Sequence, residues 1–171
     1  GLAHVCGINS ESFYTGKGFP NDFDAQLKRG VAALEASKIE MAFALGAPLR
    51  DVLTAIRSLV LKGCNSIVVD YVQVIQPDDG RMDRAEFVAH AANKCKRECQ
   101  QAGVSITLCS QLARPQRGSP FAEPQVTDLK ETGDLENISE IIMLLWSAGD
   151  SETAPKLGKI AKVKWSPKRP R

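Results

Sequence analysis

The chain has 171 residues, of which 43% are hydrophobic and 25% are charged, and this is ordinary for a soluble globular protein with one substantial core. Its apolar runs fall short of the roughly 20 residues that a membrane-spanning helix needs, so no membrane partner is expected. The net charge is +2, but seven of the 22 basic residues and no acidic residue lie from Lys156 onward, which leaves 15 basic against 20 acidic residues before it. A basic end on an acidic body points to a phosphate-bearing partner, a nucleotide or a nucleic acid.

The first half of the chain alternates between helical and strand periodicity. A helix is predicted from Phe23 to Leu34, with Asn21 as its cap. Residues 38–45 (KIEMAFAL) carry apolar side chains at every second position, which predicts a strand. An amphipathic helix is then predicted over residues 49–60, ending at Gly63.

The second half continues this alternation. A strand is predicted in SIVVDYV (66–72), and a long helix runs from Phe87 to Cys99. Further strands are predicted in VSITLC (104–109), EIIMLLW (140–146) and the basic KIAKVKW (159–165). Because the central strands are apolar on both faces and alternate with helices, the sequence predicts an α/β fold with a largely parallel central sheet and helices on both faces.

Five cysteines, an odd number without a C-x-x-C pair, indicate reduced thiols and a cytoplasmic protein. Cys95 and Cys99 lie one helical turn apart in an amphipathic segment, which predicts that they pack in the core. His4 and Cys6 have no matching pair elsewhere at zinc spacing, so the pattern does not favour a zinc site.

Polar residues follow two of the predicted central strands. Asp70 ends the first of them, and Ser110 and Gln111 follow the next. In parallel α/β sheets, ligands bind beyond the carboxyl ends of the strands. An ionised carboxylate is costly to bury unless it is paired or binds a metal, so Asp70 is either a structural acid bonded to backbone N–H groups or part of a metal site. Gln111 is correspondingly either a ligand contact or an ordinary strand-end cap.

The sequence TGKG (15–18) resembles part of a phosphate-binding P-loop but does not complete one. That loop requires G-x-x-x-x-G-K-[ST], because its backbone N–H groups and its Lys surround the phosphates. Here Glu11 stands at the first glycine position and Gly18 replaces the Ser or Thr. The segment is therefore predicted to be a turn.

Four segments in order carry a family resemblance: SIVVDYVQVI, SITLCSQLAR, VTDLKETGDLENISEIIMLLW and the basic KIAKVKW. Together they resemble the C-terminal, RecA-like ATPase domain of DnaB-type replicative helicases, from YTGKGF (14–19) to Lys164. The resemblance implies that Asp70 holds Mg²⁺ through water and that Gln111 senses the γ-phosphate of ATP and couples it to the following loop. It also implies that Lys162 and Lys164 reach into the ATP site of a neighbouring subunit, although the family has Arg at the position of Lys164.

The resemblance further implies a nucleic-acid site. Lys130, Glu131 and Gly133 fall where the family holds the backbone of single-stranded DNA. Arginines of the two loops that follow the central strands are either DNA contacts or solvated loop charges, namely Arg81, Arg84, Arg114 and Arg117. The implied cofactors are ATP and Mg²⁺. The implied partners are single-stranded DNA, further copies of the chain in a hexameric ring, primase and a helicase loader, in the cytoplasm of a bacterium or a phage-infected host.

In the family, the P-loop and a catalytic Glu lie upstream of the segment that YTGKGF matches. The chain is therefore expected to be a fragment of a helicase, with a partial ATPase domain over residues 1–165 and a basic, flexible tail over 166–171. On its own it is not expected to hydrolyse ATP. Two alternatives stay open: another RecA-like ATPase of recombination or repair, and a non-catalytic module that binds nucleic acid or a partner ring.

Overall fold

The computed structural model describes residues 5–8, 10–79, 82–113, 119, 121–129, 133–151 and 153–164. The chain divides into two compact units, residues 1–41 and 42–171. In the described part of the chain, no helix is both long and apolar enough to cross a bilayer. The predicted basic tail lies outside the described residues, so the assignment of residues 1–165 to one domain and 166–171 to a tail stays a prediction.

The first unit contains the helices α1 (Ser10–Thr15) and α2 (Phe23–Ala36). α2 confirms the predicted helix, but the prediction of Asn21 as its cap was wrong, because Asp22 occupies the N-cap position. The Asp22 carboxylate makes no cap bond to the backbone and instead accepts a hydrogen bond from Gln26 Nε2 at 2.7 Å. Between the helices, Gly16 and Gly18 have positive φ angles, as the predicted turn requires.

Residues 38–45 form no strand in the described part of the chain, so this prediction was wrong. The apolar side chains of the alternating pattern are instead exposed, by 67% at Ile39 and by 94% at Phe43. A strand is stable only when a neighbouring strand satisfies its backbone N–H and C=O groups. Periodicity in the sequence reports the two faces of a segment and carries no information about whether that neighbour is present.

The second unit is built on a parallel β-α-β unit. β1 (Ser66–Val69) pairs in parallel with β2 (Ser105–Leu108), with Ser66 opposite Ser105 and Val69 opposite Leu108. The connection between them contains α4 (Arg84–Gln101), and α3 (Leu49–Leu61) precedes β1 and contacts α4. The helices predicted over 49–60 and 87–99 are confirmed.

Two local features fix the ends of these helices. The carboxylate of Asp83 accepts hydrogen bonds from the backbone N–H groups of Ala85 and Glu86 at 2.8 and 3.1 Å, which caps α4. Gly63 follows α3 with a φ of +90°, a conformation that favours glycine, so the helix ends before it.

The core of the second unit lies between α3, α4 and one face of β1. Cys95 and Cys99 are fully buried there, which confirms that they pack in the core. The buried members of the cluster are Leu49, Val52, Ile56, Ile67, Val72, Ile75, Phe87, Val88, Ala91, Ala92, Cys95, Cys99 and Leu135.

A short helix and an antiparallel hairpin complete the second unit. α5 (Gly133–Ile138) leads into β3 (Ile141–Ser147), which pairs with β4 (Lys156–Val163) and has a register shift between Ile142 and Met143. The inner side chains of β3, Ile142 and Leu144, are buried. The outer side chains of β3 are exposed, namely Ile141, Met143 and Leu145.

Candidate nucleotide and nucleic-acid site

The carboxyl ends of β1 and β2 meet at one edge of the parallel sheet. The ladder continues past the strands, because Cys109 N donates to Val69 O at 2.9 Å and Val72 N donates to Cys109 O at 3.0 Å. Asp70 lies just beyond β1, and the Ser110–Gln111 pair lies just beyond β2. The structure therefore brings together the two groups that the sequence placed at the ends of these strands.

Asp70 is exposed, although it directly follows an apolar strand. The alternative of a buried structural acid was therefore wrong: the carboxylate keeps its contact with water and needs no compensating partner in the core. Its charge acts on the neighbouring strand end, since burial, and secondarily the negative charge of Asp70, raise the pKa of the Cys109 thiol. Asp70 is thus available at the surface of the edge where a ligand would bind.

A single side chain joins the two strand ends. Gln73 lies in a one-turn 3₁₀ helix (Val72–Val74) after Asp70 and is half-buried. Its Nε2 donates to Ser110 Oγ at 2.8 Å, and its Oε1 accepts from the backbone N–H of Gln111 at 3.3 Å. The glutamine that bonds to this strand end is therefore Gln73, whereas the side chain of Gln111 is exposed, so the interpretation of Gln111 as the strand-end cap was wrong.

Arg84 holds the 3₁₀ turn from the other side. It is the first residue of α4, and its guanidinium donates to Ile75 O at 3.2 Å and to Gln73 O. It also lies over the Phe87 ring, 5.8 Å from the centroid. Arg84 is exposed and also makes these contacts within the fold, so its interpretation as a DNA contact or a solvated loop charge stays a prediction.

The segment after Gln111 pairs with the segment that precedes the predicted DNA-binding residues. Leu112 and Leu129 form an antiparallel bridge, and Ala113 N donates to Asp128 O at 2.7 Å. Lys130, Glu131, Arg81, Arg114 and Arg117 lie outside the described residues, and Gly133 is the first residue of α5. Gln111 and Lys130 are therefore each one residue away in sequence from the same backbone bridge.

The two lysines near the end of β4 have different surroundings. Lys162 is half-buried, and its Nζ donates to Glu136 O of α5 at 2.6 Å. Lys164 follows β4 and is exposed; its backbone N–H donates to Glu140 O at 2.7 Å. Lys164 also lines an open cleft of about 420 Å³ with polar residues of α4 and α5, namely Asn93, Lys96, Arg97, Gln100, Asp134 and Asn137. Of the two, Lys164 is the one whose side chain faces an open space.

The donor set at the strand edge suits magnesium better than a metal held by protein alone. No group of three His, Cys, Asp or Glu side chains comes together anywhere in the described residues. Mg²⁺ is usually held by one or two carboxylates, water and the phosphates of a substrate rather than by a full set of protein ligands. One exposed carboxylate at a carboxyl-terminal strand edge fits that requirement.

The fold identifies the class of protein, because it matches two solved structures closely. One is an ATPase domain, with a TM-score of 0.82 and 21% identity over 97% of this chain and 62% of that one. The other is a DnaB-like replicative helicase studied for its interactions with primase, with a TM-score of 0.80 and 21% identity over 97% of this chain and 42% of that one. The predicted RecA-like α/β fold is confirmed.

The sequence then gives the family. Residues 1–164 match the DnaB-like helicase C terminal domain, and the chain belongs to that family. It is 26% identical to the replicative DNA helicase DnaB of Geobacillus stearothermophilus over 141 residues, 81% of this chain and 31% of that protein. It is also 26% identical to the replicative DNA helicase DnaC of Bacillus subtilis over 153 residues, 87% of this chain and 34% of that protein. The chain thus spans about a third of the length of these relatives.

Proposed function

We propose that this chain is part of a replicative DNA helicase motor, which couples ATP hydrolysis to movement along single-stranded DNA and to unwinding of the duplex. The observation that carries the proposal is the shared edge of β1 and β2, where Asp70 follows one strand and the Ser110–Gln111 pair, bonded to Gln73, follows the other. Membership of the DnaB-like family supports the same conclusion.

In the proposed site, Asp70 holds the Mg²⁺ of Mg²⁺·ATP through water, and Gln111 contacts the γ-phosphate. Bound Mg²⁺ supplies charge that stabilises the transferred phosphoryl group. Asp70 is suited to this role because it is exposed, so it approaches a solvated ion without first leaving a buried partner. Gln111 is suited because its backbone is held by Gln73 while its side chain is exposed.

The proposed ATP site is completed by a neighbouring subunit in a hexameric ring. Lys164 of that neighbour supplies the cation that stabilises charge on the transferred phosphoryl group, and Lys162 lies beside it in sequence. The exposure of Lys164 in an open cleft supports its role, whereas the contact of Lys162 with Glu136 suits a supporting one.

DNA is proposed to bind through Lys130, Glu131 and Gly133, with Arg114 and Arg117 as further contacts. Contacts to phosphates position a strand without reading its sequence, which suits a motor that must move along any sequence. The Leu112–Leu129 bridge supports a connection between this region and the Gln111 strand end. Primase and a helicase loader are proposed as further partners, in the cytoplasm of a bacterium or a phage-infected host.

The test is ATP hydrolysis by the complete protein that carries this chain, with and without single-stranded DNA, together with displacement of a strand from a forked duplex. We expect DNA to stimulate hydrolysis and Asp70→Asn to abolish it. The matched control is Asp51→Asn, which changes an exposed carboxylate of α3. Absence of hydrolysis would overturn the motor, and promotion of strand pairing instead of displacement would favour a recombination ATPase.

A further inference from the structure

We infer that Gln73 is a positioning residue: it holds the backbone of Gln111 in the geometry that DNA-stimulated hydrolysis requires, and so links the Asp70 strand end to the region that binds DNA. This inference rests on the proposed function and adds to it a residue and a route of coupling. It starts from the observation that one amide side chain spans the gap between the ends of β1 and β2.

The NH₂ group and the carbonyl of the Gln73 amide both form hydrogen bonds, and their partners are adjacent residues. The NH₂ group donates to Ser110 Oγ at 2.8 Å, and the carbonyl accepts from Gln111 N at 3.3 Å. A primary amide provides a donor and an acceptor at fixed spacing. Glu lacks the donor, Met lacks both groups, and Asn is one methylene shorter, so glutamine suits this position better than its nearest replacements.

The backbone of Gln73 is itself held firmly. Its neighbour Val72 is fully buried, and Ile75 is almost fully buried. Arg84 donates to the carbonyls of both Gln73 and Ile75, which ties the 3₁₀ turn to the start of α4. Because the turn is fixed on one side, the Gln73 side chain transmits the position of the β1 end to Ser110 and Gln111.

The residues after Gln111 extend this contact toward the DNA-binding region. Leu112 forms its bridge with Leu129, and Ala113 N donates to Asp128 O at 2.7 Å. A shift of the Gln111 backbone therefore moves the partner of residues 128–129, which directly precede Lys130. By bonding to the backbone of Gln111, Gln73 positions the residue that directly precedes the Leu112–Leu129 bridge.

A purely structural role for Gln73 predicts different behaviour from a positioning role. A residue that only stabilises the fold lowers the unfolding temperature and affects hydrolysis equally whether or not Gln111 has its side chain. A residue that acts through Gln111 loses its effect on hydrolysis once the Gln111 side chain is removed, because coupled residues are not additive.

The experiment measures kcat and KM for ATP, with and without single-stranded DNA, in the complete protein. The variants are Gln73→Met, which keeps the length and removes both hydrogen-bonding groups, Gln111→Ala, and the two combined. The matched control is Gln76→Met, because Gln76 is an exposed glutamine three residues away whose side chain donates only to Val74 O among the described contacts.

We expect Gln73→Met to lower the DNA-stimulated kcat about tenfold, since two hydrogen bonds are lost, and to change KM less than about twofold. The double variant is expected to be no slower than Gln111→Ala, and Gln76→Met to match the wild type. If Gln73→Met fails to fold, Ser110→Ala carries the same test, because it removes only the Ser110 side of the contact; about a threefold loss is expected.

The inference is overturned if Gln73→Met has the wild-type kcat. It is also overturned if Gln73→Met lowers the kcat of the Gln111→Ala variant by the same factor as it lowers the kcat of the wild type. Failure of the proposed function is distinguishable from this. If the wild-type protein shows no DNA-stimulated hydrolysis, the proposed motor function and the inference about Gln73 are both overturned. If hydrolysis occurs and requires Asp70 but is unchanged by Gln73→Met, only the inference about Gln73 is overturned.

Discussion

Arg57 of α3 and Glu98 of α4 form a two-point ion pair, with Arg57 Nε 2.7 Å from Glu98 Oε1 and Arg57 Nη2 2.8 Å from Glu98 Oε2. The pair joins the two helices that cover the core side of β1. The hydrogen bond from Arg57 is the main reason that the pKa of Glu98 is lowered from its ordinary value. The paired carboxylate is therefore more acidic in the folded chain than in the unfolded chain.

The first prediction concerns the pH dependence of stability. A lowered folded-state pKa stabilises the fold above the unfolded pKa of about 4.5, and this stabilisation is lost as pH falls through the lower folded pKa. We expect Arg57→Ala to lower the urea midpoint modestly at pH 7, and the difference from the wild type to shrink as the pH falls below about 4.5. Urea unfolding of both proteins at a series of pH values between 7 and 3 measures this difference in midpoint.

A control for this prediction is Arg50→Ala. The Arg50 guanidinium pairs loosely, at 3.6 Å, with the exposed carboxylate of its neighbour Asp51, and such a pair contributes little to stability. That variant is expected to keep the wild-type midpoint at every pH. A constant difference between Arg57→Ala and the wild type from pH 7 to pH 3 would show that lost packing, and not the charge of Glu98, causes the destabilisation.

The second prediction compares two neighbours in β1. Ile67 is 3% exposed and belongs to the core, whereas Val68 points to the other face and is 64% exposed. We expect Ile67→Ala to lower the free energy of unfolding by about 2–5 kcal/mol, because it leaves a cavity. Val68→Ala, which tests the loss of a β-branched residue without a cavity, should cost less than about 1 kcal/mol. Chemical denaturation of both variants measures the difference, and equal costs would contradict the one-sided burial of β1.

The third prediction concerns thiol reactivity. Burial, with a smaller contribution from Cys99, raises the pKa of Cys95 to about 12, and burial also raises the pKa of Cys99. Since the thiolate is the reactive form, neither thiol should be alkylated by iodoacetamide at pH 8 in the folded protein, and both should react in guanidinium chloride. Peptide mapping by mass spectrometry assigns each site. Rapid alkylation of Cys95 in the folded protein would contradict the burial of this face of α4.

The fourth prediction concerns Lys164. A lysine offers a point charge, whereas arginine offers a planar fork that binds phosphate at two points. In the complete protein we expect Lys164→Ala to lower DNA-stimulated hydrolysis by about 100-fold or more. Lys164→Arg should keep or raise the activity. Lys94→Ala, at an exposed lysine of α4, is the control and should leave it unchanged.

A mixing experiment tests whether Lys164 acts across a subunit interface. Asp70→Asn and Lys164→Ala proteins should each be inactive alone. Mixed rings should regain part of the activity, because some interfaces then combine an intact Asp70 with an intact Lys164 from the neighbour. Absence of any recovery in rings shown to be mixed would place both residues in one subunit's site.

Several parts of this protein could be predicted from local sequence. The helices α3 and α4 and the strands β1 to β4 follow from apolar periodicity, and Gly63 ends α3 because its φ of +90° favours glycine. The meeting of Asp70 with Ser110 and Gln111 also follows, since neighbouring parallel strands end at the same edge of a sheet. The order of these motifs was enough to identify the family.

Other features were decided only by tertiary structure. Residues 38–45 alternate like a strand, yet a strand exists only where another segment pairs with it. Asp70 looks buried by its apolar neighbours, yet it is exposed because it lies beyond the end of β1. Gln73 and Arg84 carry no pattern that reveals their contacts: Gln73 reaches Ser110 across 37 residues of chain, and Arg84 reaches back to the carbonyl of Ile75. Periodicity reports which face of a segment is apolar, whereas these contacts depend on which segments the fold brings side by side.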